Sequence, residues 1–331
     1  MMEAIRKSAV EIEKGGLPVL VLSEADVKGL IDPLQLLDAL ADGFRDLSAG
    51  LVQAPERPEI TIPRKGFSLA MPAWRVGMSI AVKVVNVFEA NLDIGLPNHL
   101  ATINLFDPST GAPQCVMDGT YITAIRTAAS AVLSVRELSR TESRTATIVG
   151  AGVQGRQHLN LLPLVRDFDE IRVASLYHED AISLAKTHPK AVAVVNVEQA
   201  VGTSDVVCLA SHSYQPVIEA GWVRPGTHVS SVGYAPPSGE LPRELLDISK
   251  LFVETADAFK SPPVGCAELK GRDISTATLL GDTISGKRSG RESAAQITLY
   301  KAMGVAMEDL VAANLVYSAA KSRGVGQIAT L

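Results

Sequence analysis

Apolar and polar positions along the chain follow two different periods. From Arg57 to Met117 they alternate as in half-buried strands, with turn signals at Arg64-Lys65-Gly66, Asn91 to Gly95 and Asp107 to Gly111. This alternation predicts several mostly antiparallel strands, near 57–62, 67–71, 78–88, 99–106 and 113–118. Upstream, Leu17 to Leu22 reads as a short strand, and Ser23 and Asp32 stand where helix N-caps are expected. Pro33 is a favoured first helical residue, and Leu34, Leu37, Ala41 and Phe44 recur at helical spacing in a helix ending about Ser48. A long helix from about Gly119 to Leu138 then leads out of the antiparallel region.

After that helix the period changes. Short apolar runs at 146–149, 171–176, 191–195, 206–210, 228–232 and 251–253 are mostly separated by helical or turn segments. That alternation predicts a doubly wound parallel sheet. A Gly/Ser/Lys/Arg loop (285–291) and a last helix from about 304 to 322 follow. The expected fold is therefore α/β: a Rossmann-type parallel sheet plus an α+β domain with mostly antiparallel strands. A length of 331 residues suits two domains.

The first run of the parallel sheet continues as Thr147-Ile-Val-Gly-Ala-Gly-Val-Gln-Gly-Arg-Gln-His-Leu159. Gly150, Gly152 and Gly155 have the G-x-G-x-x-G spacing of a dinucleotide site, between a strand and a helix. The first glycine permits the tight turn, the second admits a pyrophosphate, and the third lets the helix pack closely. An acid at the end of the next strand would read the 2′-hydroxyl of NAD and repel the 2′-phosphate of NADP. Here Ser175 takes that place, with Arg156 and His178 available to hold a phosphate. The expected cofactor is NAD(P)(H), leaning to NADP(H).

Composition narrows the classes. A net charge of −5 argues against nucleic acid or an anionic membrane as the main partner. No apolar run approaches the ~18 to 20 residues that span a bilayer, and the stretch from Met1 to Gly16 has no signal-peptide core. The cytoplasm is the default location. Cys115, Cys208 and Cys266 lie far apart, and the six histidines show no metal-ligand spacing, so no metal is expected. His99 and His212 adjoin predicted strand ends. No G-x-S-x-G elbow is present.

Two cations stand among apolar residues, and the alternative for Lys83 is a lysine that snorkels at a sheet edge. Lys83 lies inside Ser79-Ile-Ala-Val-Lys-Val-Val-Asn-Val-Phe88, on the face of Ala81 and Val85, where an ammonium needs a partner or a wet cleft. Such a lysine is readily tuned for acid–base work. Arg126 lies in a helix that is apolar or small almost all round, so its guanidinium needs an anion, either a structural carboxylate or a ligand. Thr123, Thr127 and Ser130 stand within one turn of it. Arg57, between Pro55 and Pro58, reads on pattern alone as a surface arginine.

At these residues the chain resembles the ornithine cyclodeaminase/μ-crystallin family. The matching blocks are Val82-Lys-Val-Val-Asn86, Gly95-Leu-Pro-Asn-His99, Asp118 to Ala131, Gly150-Ala-Gly-Val-Gln-Gly155, Ser230-Ser-Val-Gly233, and Gly290-Arg-Glu to Asp309. The resemblance implies a homodimer. It implies a substrate and dimerisation domain (1–125 and 304–331), a Rossmann domain (126–303), and an active site in the cleft between them. By resemblance, Lys83 is the catalytic, substrate-site lysine and Arg57 grips a substrate carboxylate, with Arg64 the competing alignment. Arg126 contacts both cofactor and substrate space, and Met303 faces the substrate. Asn98, Val153, Gln154, Ser175, Ser211, Val229, Ser230, Ser231, Val232 and Ala302 match cofactor-contacting positions.

One departure matters. Members that cyclise and deaminate ornithine carry an aspartate where this chain has Ala235, in Val232-Gly-Tyr-Ala-Pro-Pro237. The resemblance then implies an NAD(P)-dependent imine reductase or amino-acid dehydrogenase, moving hydride to or from a carbon that bears nitrogen. Two alternatives stand: a cyclodeaminase-type lyase that recruits another acid, Glu240 being nearest, and a non-enzymatic protein that binds cofactor and ligand.

Overall fold

In the computed structural model, residues 16–262 and 264–331 are described. The expectation drawn on the N-terminal stretch concerns residues that lie, Gly16 apart, outside them. In chain order the elements are β1 (Pro18–Leu22), α1 (Glu24–Leu30), α2 (Pro33–Ser48), β2 (Val52–Gln53), β3 (Glu59–Ile62), β4 (Gly66–Arg75), β5 (Ile80–Val87), β6 (His99–Phe106) and β7 (Pro113–Asp118). Then come α3 (Thr120–Leu138), β8 (Thr145–Val149), α4 (Val153–Leu161), β9 (Glu170–Ala174), α5 (His178–Ala185), β10 (Ala191–Ala193), α6 (Val197–Gly202) and β11 (Val206–Leu209). The remainder is β12 (His228–Ser231), α7 (Leu245–Ile248), β13 (Ser249–Val253), β14 (Ala277–Leu279), α8 (Leu280–Ile284), β15 (Ile297–Lys301), α9 (Ala306–Arg323) and β16 (Gln327–Thr330).

The chain divides into two compact units. The first holds the described residues through Asp32, Val52–Thr123 and Asp309–Leu331; the second holds Pro33–Leu51 and Ala124–Glu308. Helix α2 thus belongs by its contacts to the second unit, where it packs on α8.

The first unit is built on a sheet of order β16-β1-β7-β6-β5-β4-β2, with β3 also paired to β4. Among the described residues, only β1 and β7 run parallel in it. Along β5 the alternation holds: Ala81, Lys83 and Val85 are buried, while Ile80, Val82 and Val84 are half-buried on the other face. Two expected strands shift. β3 begins at Glu59, after Pro58, which has no N–H to give a ladder. β4 runs on past Met71 through Pro72 to Arg75. It can do so because β3 flanks only Gly66–Leu69 and β2 only Trp74–Arg75, so Pro72 meets no strand on that side. Ser23 caps α1 as expected, its hydroxyl accepting from the Asp26 N–H at 3.3 Å while the Asp26 carboxylate accepts from the Ser23 N–H at 2.9 Å.

The second unit is built on a parallel sheet of order β10-β9-β8-β11-β12-β15-β13-β14. The chain runs outward from β8 to β10, then returns to β11 on the other side of β8. The neighbours β8 and β11 therefore form the topological switch point, where open α/β sheets bind ligands at their carboxyl ends. Strands β14, β15 and, in the first unit, β16 were absent from the expectation. β15 carries Thr298 and Lys301, yet all five of its residues are buried. Its polar positions are satisfied by side chains distant in sequence, which no local pattern can reveal. Helix α9 starts at Ala306, because Gly304 has a φ of 75° and cannot belong to a right-handed helix.

Candidate active site

The glycine turn after β8 has the geometry its spacing implies. Gly150 has a φ of 123°, and a Cβ there would fall 2.3 Å from the Ala210 carbonyl oxygen. At Gly155 a Cβ would fall 1.9 Å from the Gly150 carbonyl oxygen, so α4 can approach β8 only over a bare Cα. Around a Cβ at Gly152 none of the described residues lies within 4 Å, and the residue is exposed, as is Val153. Gly152 is also the N-cap of α4 and offers no side-chain acceptor to the first helical N–H groups. The Nε2 of Gln154 donates to the Ala124 carbonyl at 3.3 Å, while its buried Oε1 has no hydrogen-bond partner among the described residues. Open space and free helix N–H groups fit a dinucleotide phosphate at this turn. At the end of β9, Ser175 is half-buried, Leu176 and Tyr177 are exposed, and Arg156 and His178 stand on α4 and α5.

Beyond the switch point, buried polar groups tie the strand ends together. The Glu240 carboxylate accepts from the Ser211 N–H (2.7 Å) and hydroxyl (2.6 Å) through one oxygen. Its other oxygen accepts from the Ser231 hydroxyl (2.9 Å) and the Gly233 N–H (2.7 Å). Lys301, at the end of β15, donates to the Ser231 hydroxyl (3.1 Å) and the Gly233 carbonyl (2.7 Å) and pairs with Glu268 at 3.1 Å. Burial disfavours the Lys301 ammonium, but Glu268 beside it outweighs this and its pKa lies above the ordinary value. Glu254, after β13, accepts from the N–H groups of Met303 (2.9 Å) and Gly304 (3.1 Å). Met303 is half-buried; Val229, Ser230 and Ala302 are buried, and Val232 is half-buried. Ala235 is buried too. The His212 ring packs edge-on to Tyr214 at 5.6 Å.

Arg126 takes the carboxylate alternative. Its guanidinium meets Glu308 at 2.6 Å, with both side chains buried. A Cβ at Gly304 would lie 2.5 Å from the same guanidinium, so the turn before α9 also needs its glycine. Two of the three nearby hydroxyls are used elsewhere: Thr123 donates to the Gly119 carbonyl at 2.7 Å, and Ser130 bonds the Tyr300 hydroxyl at 2.8 Å.

In the first unit, Lys83 pairs with Asp309 at 2.6 Å. Lys83 stands in one rung across the sheet, opposite Met71 on β4 and Ile103 on β6, and Ile103 stands opposite Met117 on β7. The β3–β4 pairing continues to Pro58, whose carbonyl accepts from the Ala70 N–H at 3.2 Å. Arg57 immediately precedes this bond in the chain. Arg57 is half-buried, whereas Arg64 is exposed at the hairpin tip with a φ of 63°. Asn98 is half-buried; its carbonyl accepts from the Phe88 N–H at 2.8 Å and its side chain meets the His99 ring at 3.1 Å. Sequence reasoning missed Asp309, Glu254, Glu268 and Lys301. For Asp309 a signal existed: Glu308-Asp309 are acids within an otherwise apolar helical stretch, the same pattern that marked Arg126.

The sequence profile of the ornithine cyclodeaminase/mu-crystallin family matches residues 19–324. The chain belongs to this family. It is 35% identical over 292 residues to the ketimine reductase mu-crystallin of Mus musculus, covering 87% of this chain and 91% of that one. Among solved structures, the Thermococcus litoralis Δ1-pyrroline-2-carboxylate reductase in complex with NADH and L-proline superposes with a TM-score of 0.86 at 33% identity, covering 93% of this chain and 99% of that one. An archaeal alanine dehydrogenase dimer with bound NAD superposes with a TM-score of 0.85 at 29% identity, over 95% and 100% of the respective chains. The α/β architecture with one parallel and one mostly antiparallel sheet is thus that of the family's dehydrogenases and reductases.

Proposed function

We propose that this family member is an NAD(P)-dependent oxidoreductase that moves a hydride to or from the α-carbon of an imino or amino acid. A bound nicotinamide supplies or accepts the hydride. The glycine turn, with Val153 and Gln154, holds the dinucleotide phosphates; Asn98, Arg126, Ser175, Ser211, Val229 to Val232 and Ala302 line the rest of it. Arg57, rather than the hairpin-tip Arg64, grips the substrate α-carboxylate in a forked hydrogen bond. Lys83 gives its proton to the substrate nitrogen as the C=N bond is reduced, and takes it back in the oxidative direction. Met303 faces the substrate.

The observation that carries this reading is the buried Lys83–Asp309 pair. A buried ammonium is costly without an anion beside it, and the Asp309 carboxylate both compensates Lys83 and holds its side chain in place. Glu240 cannot act as the replacement acid of a cyclodeaminase, since four donors already occupy its oxygens.

Two finer assignments follow. Ser175, in place of an acid, leaves room for a 2′-phosphate, and NADP(H) is the preferred cofactor. The second face of the first unit's sheet carries Pro72, Trp74, Ile80, Val82, Val84 and Phe106, all half-buried, with Asn104 and Thr102 opposite Val82 and Val84. A second copy covers this face in a homodimer, the state of the archaeal relative.

The test is an absorbance assay with NADH and NADPH against pyrroline- and piperideine-2-carboxylate and pyruvate with ammonia. Oxidation of one cofactor with one imine supports the reading. Proline and ammonia from ornithine, without net cofactor change, overturns it, and so does cofactor binding with no turnover of any imine or amino acid.

A further inference from the structure

Buried carboxylates are costly, and one that only filled space would be replaced without loss by an apolar residue. Glu240 is fully buried, and what it gathers is specific: two donors from Ser211, two residues past β11's end, and two from Ser231 and Gly233 at and just past the end of β12. These are adjacent strands on the far side of the switch point from β9. The geometry around it is exclusive. A Cβ at Gly233 would fall 2.5 Å from the Glu240 carboxyl carbon, and one at Gly239 would fall 2.1 Å from Glu268, the partner of Lys301. Lys301 then joins the end of β12 to β15 through Ser231 and Gly233. The carboxyl edge of β11, β12 and β15 is therefore bound into one polar unit centred on Glu240.

In a sheet of this topology the glycine turn after β8 and the end of β9 take the phosphates and the adenosine. The other half of a dinucleotide then lies over the ends of β11 and β12. We propose that Glu240 is the positioning residue for the nicotinamide half of the cofactor site, an inference that rests on the proposed oxidoreductase reading. Its role is to fix two loops at once and to settle one hydroxyl. Because the Ser211 hydroxyl donates its only proton to Glu240, its oxygen is left as an acceptor. Ser211 is half-buried, and the acceptor it presents matches a ligand group rich in N–H donors, as a carboxamide is. The adenosine half has no part in this arrangement, so the two halves of the cofactor should respond differently when it is broken.

The experiment is calorimetric titration of the whole protein with NADH or NADPH, whichever the wild type binds more tightly, and with the same molecule lacking nicotinamide (ADP-ribose or its 2′-phosphate). In Glu240→Gln the amide brings N–H groups to face donors on one side. The expected result is a tenfold or greater loss of dinucleotide affinity with fragment affinity held within twofold. Ser211→Ala, which leaves Glu240 three of its four donors, should weaken dinucleotide binding at least threefold and spare the fragment; it serves alone if Glu240→Gln does not fold. Leu241→Ala removes a buried neighbour and should lower the melting temperature without separating the two ligands, which marks what a purely structural role looks like. Equal losses for both ligands, or unchanged dinucleotide binding, would overturn the proposal while leaving the oxidoreductase reading intact. Binding of neither ligand by the wild type would overturn both.

Discussion

The Nζ of Lys83 lies 2.6 Å from a carboxylate oxygen of Asp309, and each side chain is 1% exposed. Breaking such a pair strands a buried charge and costs about 3–5 kcal/mol, whereas replacing both partners by apolar groups is close to neutral. Lys83→Met and Asp309→Leu should therefore each lower stability by about 3 kcal/mol or more, while the double variant returns to within about 1 kcal/mol of wild type. Urea unfolding of the four proteins measures this cycle. Turnover should be lost in all three variants, cofactor binding retained. Additive losses of stability would mean that the two residues do not form the pair.

The three glycines of the turn should separate folding from binding. Gly155→Ala places a methyl group 1.9 Å from the Gly150 carbonyl oxygen and should fail to give a folded protein. Gly152→Ala meets open space, so its stability should stay within about 0.5 kcal/mol of wild type. Its affinity for a dinucleotide should nonetheless fall by an order of magnitude or more, because the new methyl occupies the phosphate's approach. Melting curves read beside cofactor titrations decide the matter. A Gly152→Ala protein that binds cofactor normally contradicts the assignment.

Two buried histidines make the fold acid-sensitive. Burial lowers the pKa of His228 to about 3, with Arg291 and Arg166 adding to the effect, and lowers that of His158 to about 4. His228 is held between the Ser134 and Thr298 hydroxyls, at 3.0 and 2.9 Å. Below the unfolded value of about 6.5, the unfolded chain takes up protons that the folded one refuses, so stability falls with pH. Each histidine contributes about 1.4 kcal/mol per pH unit between about 6.5 and its folded value. Urea midpoints from pH 7 to 5 should drop, and His228→Gln should flatten the slope by its share. An unaltered slope would remove His228 from the account.

Cofactor choice should turn on Ser175. Ser175→Asp places a carboxylate where it accepts from a ribose 2′-hydroxyl and repels a 2′-phosphate. Affinity for NADPH should fall on the order of tenfold, about 1.4 kcal/mol, while affinity for NADH holds or rises. Equal effects on both cofactors would show that Ser175 does not face the adenosine ribose.

Much of this was legible in the sequence, for reasons that particular residues make clear. The strands β5 to β7 and β8 to β12 obey local periods, and Gly150 and Gly155 are fixed by contacts within or beside their own turn. Lys83 and Arg126 announced a need for partners because an ion in an apolar period is costly wherever it occurs. The identity of those partners was not legible, since Asp309 and Glu308 lie far along the chain. β15 was hidden for the same reason: Lys301 breaks its apolar run, and Glu268, the Ser231 hydroxyl and the Gly233 carbonyl make that lysine compatible with a buried strand. Local pattern reveals a demand for compensation; the fold alone reveals what meets it.

The pairing of β1 with β16 has a consequence for synthesis. Residues 18–21 are joined to residues 327–330, and the Leu17 and Leu331 backbones bond each other at 2.9 and 3.0 Å. While the ribosome is still making the last helix, β1 can already lie beside β7, but its outer edge has no strand to cover it. A growing chain thus carries an open β-edge, the kind of surface to which other nascent chains add. Its protection arrives only when residues 327–330 have been made.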